Sequence, residues 1–89
     1  YEFNGIEFED IDASDKKQLN IREGIKIKSV SNPDYSEYKE ILEGAVILSI
    51  DGQKAKDMES VSSYLAKKEN QKARYQIMTK NGQMYSIIM

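Results

Sequence analysis

The chain has 89 residues and a mass of 10.2 kDa, enough for one domain with a small core. Its 13 basic and 15 acidic side chains leave a net charge of −2 and a pI of about 5.1, without the basic face that nucleic acid or anionic lipid requires. There is no histidine and no cysteine, which excludes Ser-His and Cys-His catalytic pairs, histidine metal sites, disulfides, thiolate chemistry and zinc knuckles.

Apolar residues make up 39% and charged residues 31%, a mix that folds rather than stays disordered. The longest apolar run, Ala45-Val46-Ile47-Leu48, is far shorter than the roughly 20 residues of a membrane span. No signal peptide is visible, and the chain opens on Tyr1 rather than Met, which points to a segment processed or cut from something longer.

In chain order, Gly5-Ile6-Glu7-Phe8-Glu9-Asp10-Ile11 alternates apolar and acidic residues, the pattern of a half-buried strand. Ser14 is the expected cap of a short, marginal helix reaching Leu19. After Gly24, Ile25-Lys26-Ile27-Lys28 alternates again and predicts a second strand with one wet face. Asn32-Pro33-Asp34 marks a turn or helix start, and Tyr35, Tyr38, Ile41 and Leu42 recur at helical spacing up to a stop at Gly44.

Residues 45–50 form the most apolar strand, expected at the centre of the sheet, and Asp51-Gly52 after it is a tight-turn pair. Asp57 is placed to cap the best helix, running to about Lys68 with Met58, Val61 and Leu65 on one face. The chain closes with a hairpin, residues 74–79 and 83–89, around Asn81-Gly82 in an expected type I′ turn. Strands and long helices do not alternate strictly, so the expectation is an α+β fold with a small mixed or antiparallel sheet.

The sequence offers little for catalysis. Glu7 and Glu9 share a strand face in the manner of an acid/base pair, but charges on the wet face of an edge strand serve solubility. Ser60, Ser62 and Ser63 lack a histidine, and Lys67 and Lys68 are expected to be solvated charges at a helix end rather than a desolvated base. Asp10, Asp12 and Asp15 lack the glycine and distal glutamate of a calcium loop. No phosphate-cradling glycine run is present, and the aromatic residues do not sit beside a basic stripe. No catalytic residue, metal site or cofactor is expected. What remains is recognition by shape: an edge strand beside an amphipathic helix makes a groove for an extended peptide. Edge strands also invite self-pairing, which points to association of two copies through residues 5–11.

Two segments carry a resemblance. Gly24-Ile25-Lys26-Ile27-Lys28-Ser29-Val30, followed by Leu42-Glu43-Gly44-Ala45-Val46-Ile47-Leu48-Ser49-Ile50-Asp51-Gly52, is similar to the centre of a PDZ domain. The match is nearest to the second PDZ domain of bacterial HtrA/Deg (Do) serine proteases, which also opens with a short Gly-containing strand like Phe3-Asn4-Gly5-Ile6-Glu7-Phe8. Ala45 stands where most of the family has Asp, and Asn4 replaces an apolar residue of the Gly-Leu-Gly-Phe carboxylate loop.

The resemblance implies that residues 1–89 are a single PDZ-like domain excised from a larger protease. Its fold would be a β-sandwich or partly open barrel of five to six strands capped by two helices. Phe3, Asn4, Gly5, Ile6, Glu7, Phe8, Glu9, Met58, Ser62 and Leu65 would bind peptide. Backbone N–H groups of Asn4, Gly5 and Ile6 would hold a carboxylate or carbonyl, residues 6–9 would pair with the ligand, and Ile6, Phe8 and Leu65 would line the pocket for its last side chain. Met58 and Ser62 would face the next positions. Ile6, Phe8 and Leu65 are equally suited to core packing, and Met58 suits a gap-filling core position better than a ligand contact.

The implied function is a non-catalytic peptide-binding module of protein quality control in the bacterial periplasm or cell envelope. The expected partners are unfolded or C-terminal peptide segments and other domains or subunits of the protease, not nucleic acid or the membrane interior. The acidic rim of Glu7, Glu9 and Asp10 favours ligands with basic residues upstream of an apolar one. The alternatives are a degenerate-groove module for protease assembly, or the PDZ domain of a site-2 metalloprotease or carboxy-terminal processing protease.

Overall fold

A computed structural model describes residues 1–68 and 71–89. The α+β expectation holds. Its described elements are β1 (Glu2–Phe3), β2 (Ile6–Asp10), α1 (Ala13–Leu19), β3 (Ile25–Val30), α2 (Lys39–Leu42), β4 (Val46–Ile50), β5 (Gln53–Lys54), α3 (Met58–Ala66), β6 (Arg74–Met78) and β7 (Met84–Ile88). All seven strands join one antiparallel sheet in the order β1-β2-β3-β4-β6-β7, with β5 on β4.

The three helices are those read in chain order, one more than the two that the resemblance implies. The seven strands exceed the five read in chain order by two, and local turn chemistry explains both added strands. Asn4 and Gly5 have φ of 55° and 75°, and Asp51 and Gly52 have 51° and 82°. Two successive positive φ values make a two-residue hairpin turn whose twist suits antiparallel strands. Each Asx-Gly pair therefore adds a short strand: β1 to β2, with Phe3 opposite Ile6, and β5 to β4, with Ile50 opposite Gln53.

Other boundaries differ for equally local reasons. Asp12, not Ser14, caps α1: its Oδ1 accepts from the Asp15 N–H at 2.8 Å, and Asp15 Oδ2 accepts from the Asp12 N–H at 3.2 Å. This reciprocal capping box satisfies two orphan donors, where Ser14 would satisfy one. The helix expected over 35–42 is a 3₁₀ segment, Pro33–Tyr38, followed by α2. Asn32 caps it, accepting from the Asp34 N–H at 2.9 Å, and Tyr35 is non-helical at φ −111°. The last hairpin is not type I′. Of Asn81 and Gly82 only Gly82 has positive φ, at 83°, with Gly82 N–H donating to Thr79 O and Thr79 N–H donating to Gln83 O, both at 2.8 Å. This is a three-residue loop with Gly82 in the bulge position.

The helix expected over 57–68 forms over Met58–Ala66, with Asp57 as its cap as expected. Asp57 Oδ1 accepts from the Ser60 N–H at 2.8 Å. Strand β4 is central as expected: β3 and then β5 pair along one side of it, at Val46–Ile47 and Ser49–Ile50, and β6 pairs along the other. Ile6, Phe8, Ile25, Ile27, Ile47 and Ile77 from the sheet meet Val61 and Leu65 of α3 in one core. Fully burying each such side chain stabilises by about 1.5–3 kcal/mol.

Asp51 ties three elements together at one end of that core. Its Oδ1 accepts from the Arg74 N–H at 2.8 Å, and its Oδ2 accepts from the Tyr64 hydroxyl at 2.6 Å and pairs with Lys68 Nζ at 3.3 Å. The first of these hydrogen bonds, then the one from Tyr64, hold its carboxyl below the usual range.

Candidate functional site

The strand expected at a free edge lies inside the sheet. β2 pairs with β3 on one side and with β1 on the other. Phe3 faces Ile6 and Glu2 faces Glu7. Beyond them, the Phe8 N–H donates to Tyr1 O at 2.7 Å, and the Tyr1 nitrogen donates to Phe8 O at 3.3 Å. The Tyr1 and Phe8 rings stack with centroids 6.1 Å apart. In an antiparallel ladder alternate residues point their backbone groups to opposite sides. Ile6 and Phe8 thus spend their outward groups on residues 1–3, and on this side of β2 Asp10 alone extends past them.

The hairpin turn is held from below. Gly5 O accepts from the Ser31 N–H at 2.8 Å and the Ser31 hydroxyl at 3.1 Å, and Asn4 O accepts from Asn32 Nδ2 at 3.0 Å. Asn4 Nδ2 donates to the Tyr35 hydroxyl at 2.9 Å. A Cβ on Gly5 would come within 2.7 Å of Asn32 Cβ, so the close seat itself requires glycine. The main chain of this turn engages residues 31 and 32 through its carbonyls. Of the three N–H groups that the resemblance assigns to a carboxylate, that of Ile6 faces Phe3 in the hairpin.

The pocket residues are placed as follows. Ile6, Phe8 and Leu65 are 1%, 2% and 0% exposed and belong to the core, so they line no open hollow in this conformation. Their alternation with acidic residues, and helical spacing for Leu65, is the ordinary signature of core packing. Met58 and Phe3 are half-buried and pack against that core. Ser62 is half-buried, and its hydroxyl donates to Glu59 O at 3.2 Å.

The three carboxylates of β2 differ in exposure and partners. Glu7 Oε1 accepts from the Ser29 hydroxyl at 3.1 Å, and Glu7 Oε2 lies 3.8 Å from Lys28 Nζ. Glu9 is half-buried and Asp10 is exposed.

A surface hollow of about 590 Å³ lies beside the hairpin, lined by Glu2, Phe3, Asn4, Tyr35, Ala66 and Met89 among others. It brings together Phe3 and Asn4 with Tyr35 and the end of α3, but not Ile6, Phe8, Met58, Ser62 or Leu65. Sequence reasoning missed Tyr1, Asn32 and Tyr35 as parts of this site. The Asn4-Gly5 pair was the available signal, since it is itself a hairpin turn that brings residues 1–3 back onto β2.

No family model matches the chain, and no curated protein matches it.

Proposed function

We propose that the chain is a non-catalytic, PDZ-like peptide-binding module of an HtrA/Deg-type serine protease of the bacterial periplasm or cell envelope. It takes up extended or C-terminal peptide segments at the outer edge of β2. One observation carries this reading: that edge already holds an extended segment, residues 1–3, through main-chain bonds such as Phe8 N–H to Tyr1 O at 2.7 Å. Strand addition is the binding mode such an edge supports. The segment runs antiparallel to β2 and ends at the Asn4-Gly5 turn, the direction in which the resemblance orients a ligand's C-terminal end. The strand order and the position of α3 between β5 and β6 are also compatible with the PDZ likeness.

Binding is then an exchange. The ligand displaces residues 1–3, a short strand whose Tyr1 and Glu2 are exposed. The intramolecular strand is poorly matched in charge, because Glu2 stands opposite Glu7. Like charges directly opposed across antiparallel strands are destabilising. A ligand reading aromatic–basic–apolar would keep the contacts of Tyr1 and Phe3 and replace that repulsion with attraction. Calorimetric titration tests this with matched peptides that carry Lys or Glu at the middle position. Tighter binding of the Lys peptide is expected, and equal or reversed affinity contradicts it.

The filled edge also favours a second reading. With Ile6, Phe8 and Leu65 closed in the core, the domain is a structural module that docks against other domains or subunits of its protease. Failure of every extended peptide to displace residues 1–3 would select this reading.

A further inference from the structure

The sheet ends on its other side at β7, and this edge is unlike the first. Ala73 and Met89 exchange both backbone hydrogen bonds, at 2.9 and 3.0 Å, and Thr79 N–H donates to Gln83 O. The register pairs Tyr75 with Ile87 and Ile77 with Tyr85 between them. By alternation, Met84, Ser86 and Ile88 turn their N–H and C=O groups away from β6, toward the open edge. Their side chains share the outer face, and Met84 and Ile88 are 51% and 59% exposed. Native edge strands of this kind usually carry a charge or proline against pairing. Met84-Tyr85-Ser86-Ile87-Ile88 carries neither.

We infer that β7 is a self-association edge, where two copies of this chain pair antiparallel about a two-fold axis at Ser86. Charge selects a second copy as the occupant and β7 as the edge. Pairing about Ser86 sets Met84 of one copy opposite Ile88 of the other, and Tyr85 opposite Ile87, so every cross-strand pair is uncharged. The cations that the β6–β7 register sets on the outer face are the two Arg74 side chains, opposite Ile88. They fall four residues along the strand and three strand spacings apart, roughly 20 Å, beyond the screening length of about 8–10 Å. At the opposite edge, Glu2 on β1 and Glu7, Glu9 and Asp10 on β2 would bring carboxylates of two copies together. The self-pairing expected through residues 5–11 therefore moves to β7: β2 is covered by β1, and its charges oppose association. A five-residue strand pair buries less than about 1,000 Å², so the association is weak and concentration-dependent.

The test is sedimentation equilibrium of the full chain from roughly 10 µM to 1 mM, a range suited to weak contacts. The weight-average mass is expected to rise from 10.2 kDa toward about twice that value. Ser86→Lys and Ser86→Glu each set like charges against themselves across the axis and are expected to stay monomeric. Circular dichroism confirms that each variant is folded. An equimolar mixture of the two folded variants sets Lys against Glu and is expected to restore the dimer. A wild-type chain monomeric throughout, association unchanged in both variants, or no recovery in the mixture overturns the proposal.

Discussion

Glu2 and Glu7 stand directly opposite one another across the β1–β2 pair. They are a like-charge pair held together by the hairpin turn at Asn4-Gly5 and by the Tyr1–Phe8 contact. Replacing Glu2 with Lys should therefore strengthen the fold while closing the site. Glu2→Lys is expected to raise stability by about 0.2–1 kcal/mol in urea unfolding, the range for a cross-strand charge pair. It is also expected to weaken peptide binding at β2 by competition. A variant that gains stability and binds peptide as well as the parent would separate the two effects and contradict exchange.

Gly5 and Gly82 both have positive φ, at 75° and 83°, but differ in their surroundings. An added Cβ meets Asn32 within 2.7 Å at the first and nothing within 4 Å at the second. Gly82→Ala should cost only the left-handed backbone strain, about 1–2 kcal/mol. Gly5→Ala adds a steric clash of about 1–3 kcal/mol and unseats the turn from residues 31 and 32. Equal unfolding midpoints for the two variants would show that the hairpin is not seated as described.

Ile6 and Leu65 are core residues in this conformation, so truncating them tests burial against pocket lining. Ile6→Ala and Leu65→Ala are each expected to lose about 2–5 kcal/mol of stability in denaturant unfolding. A loss below about 1 kcal/mol would place them at an open pocket instead, since exposed sites change stability little.

Acid should loosen the structure through its capping and hub carboxylates. For Asp15, burial pushes the carboxyl up, but the Asp12 N–H and Lys26 outweigh it and leave it low. The Arg74 N–H lowers Asp51, and the Ser60 N–H lowers Asp57. A group whose folded pKa lies below its unfolded value of about 3.9 stabilises above that value and loses the contribution as pH falls through the folded one. Stability is therefore expected to be flat from pH 5 to 7 in these terms and to fall below about pH 4. Asp51→Asn keeps a residue that tolerates the left-handed turn but abolishes one titration. Urea midpoints against pH should show a shallower acid limb for it, and an unchanged limb would remove Asp51 from the account.

Much of this fold was legible because its signals are local. The alternation at residues 6–9 and 25–28, the Asp57 cap and the apolar strand read at 45–50 each report one element through one face or one hydrogen bond. The misreadings arose where two local signals competed. Asp12 and Ser14 are both good caps, and Asp15 three residues after Asp12 decides between them by closing the box. Asn81-Gly82 and Asn4-Gly5 are the same dipeptide in different turns, which the dipeptide alone does not distinguish. The site was less legible than the fold. Apolar residues at strand spacing read identically as core or pocket, and the filling of β2 by residues 1–3 depends on a hairpin that the resemblance to a carboxylate loop obscured.

The most direct test of strand exchange at β2 is an NMR titration of the full chain with a peptide reading aromatic–basic–apolar, to roughly millimolar concentration. Glu2 and Phe3 are expected to move to unpaired chemical shifts, while the Phe8 amide stays protected because a ligand carbonyl replaces that of Tyr1. Unperturbed Glu2, Phe3 and Phe8 resonances, or shifts confined to other parts of the sheet, would contradict the account.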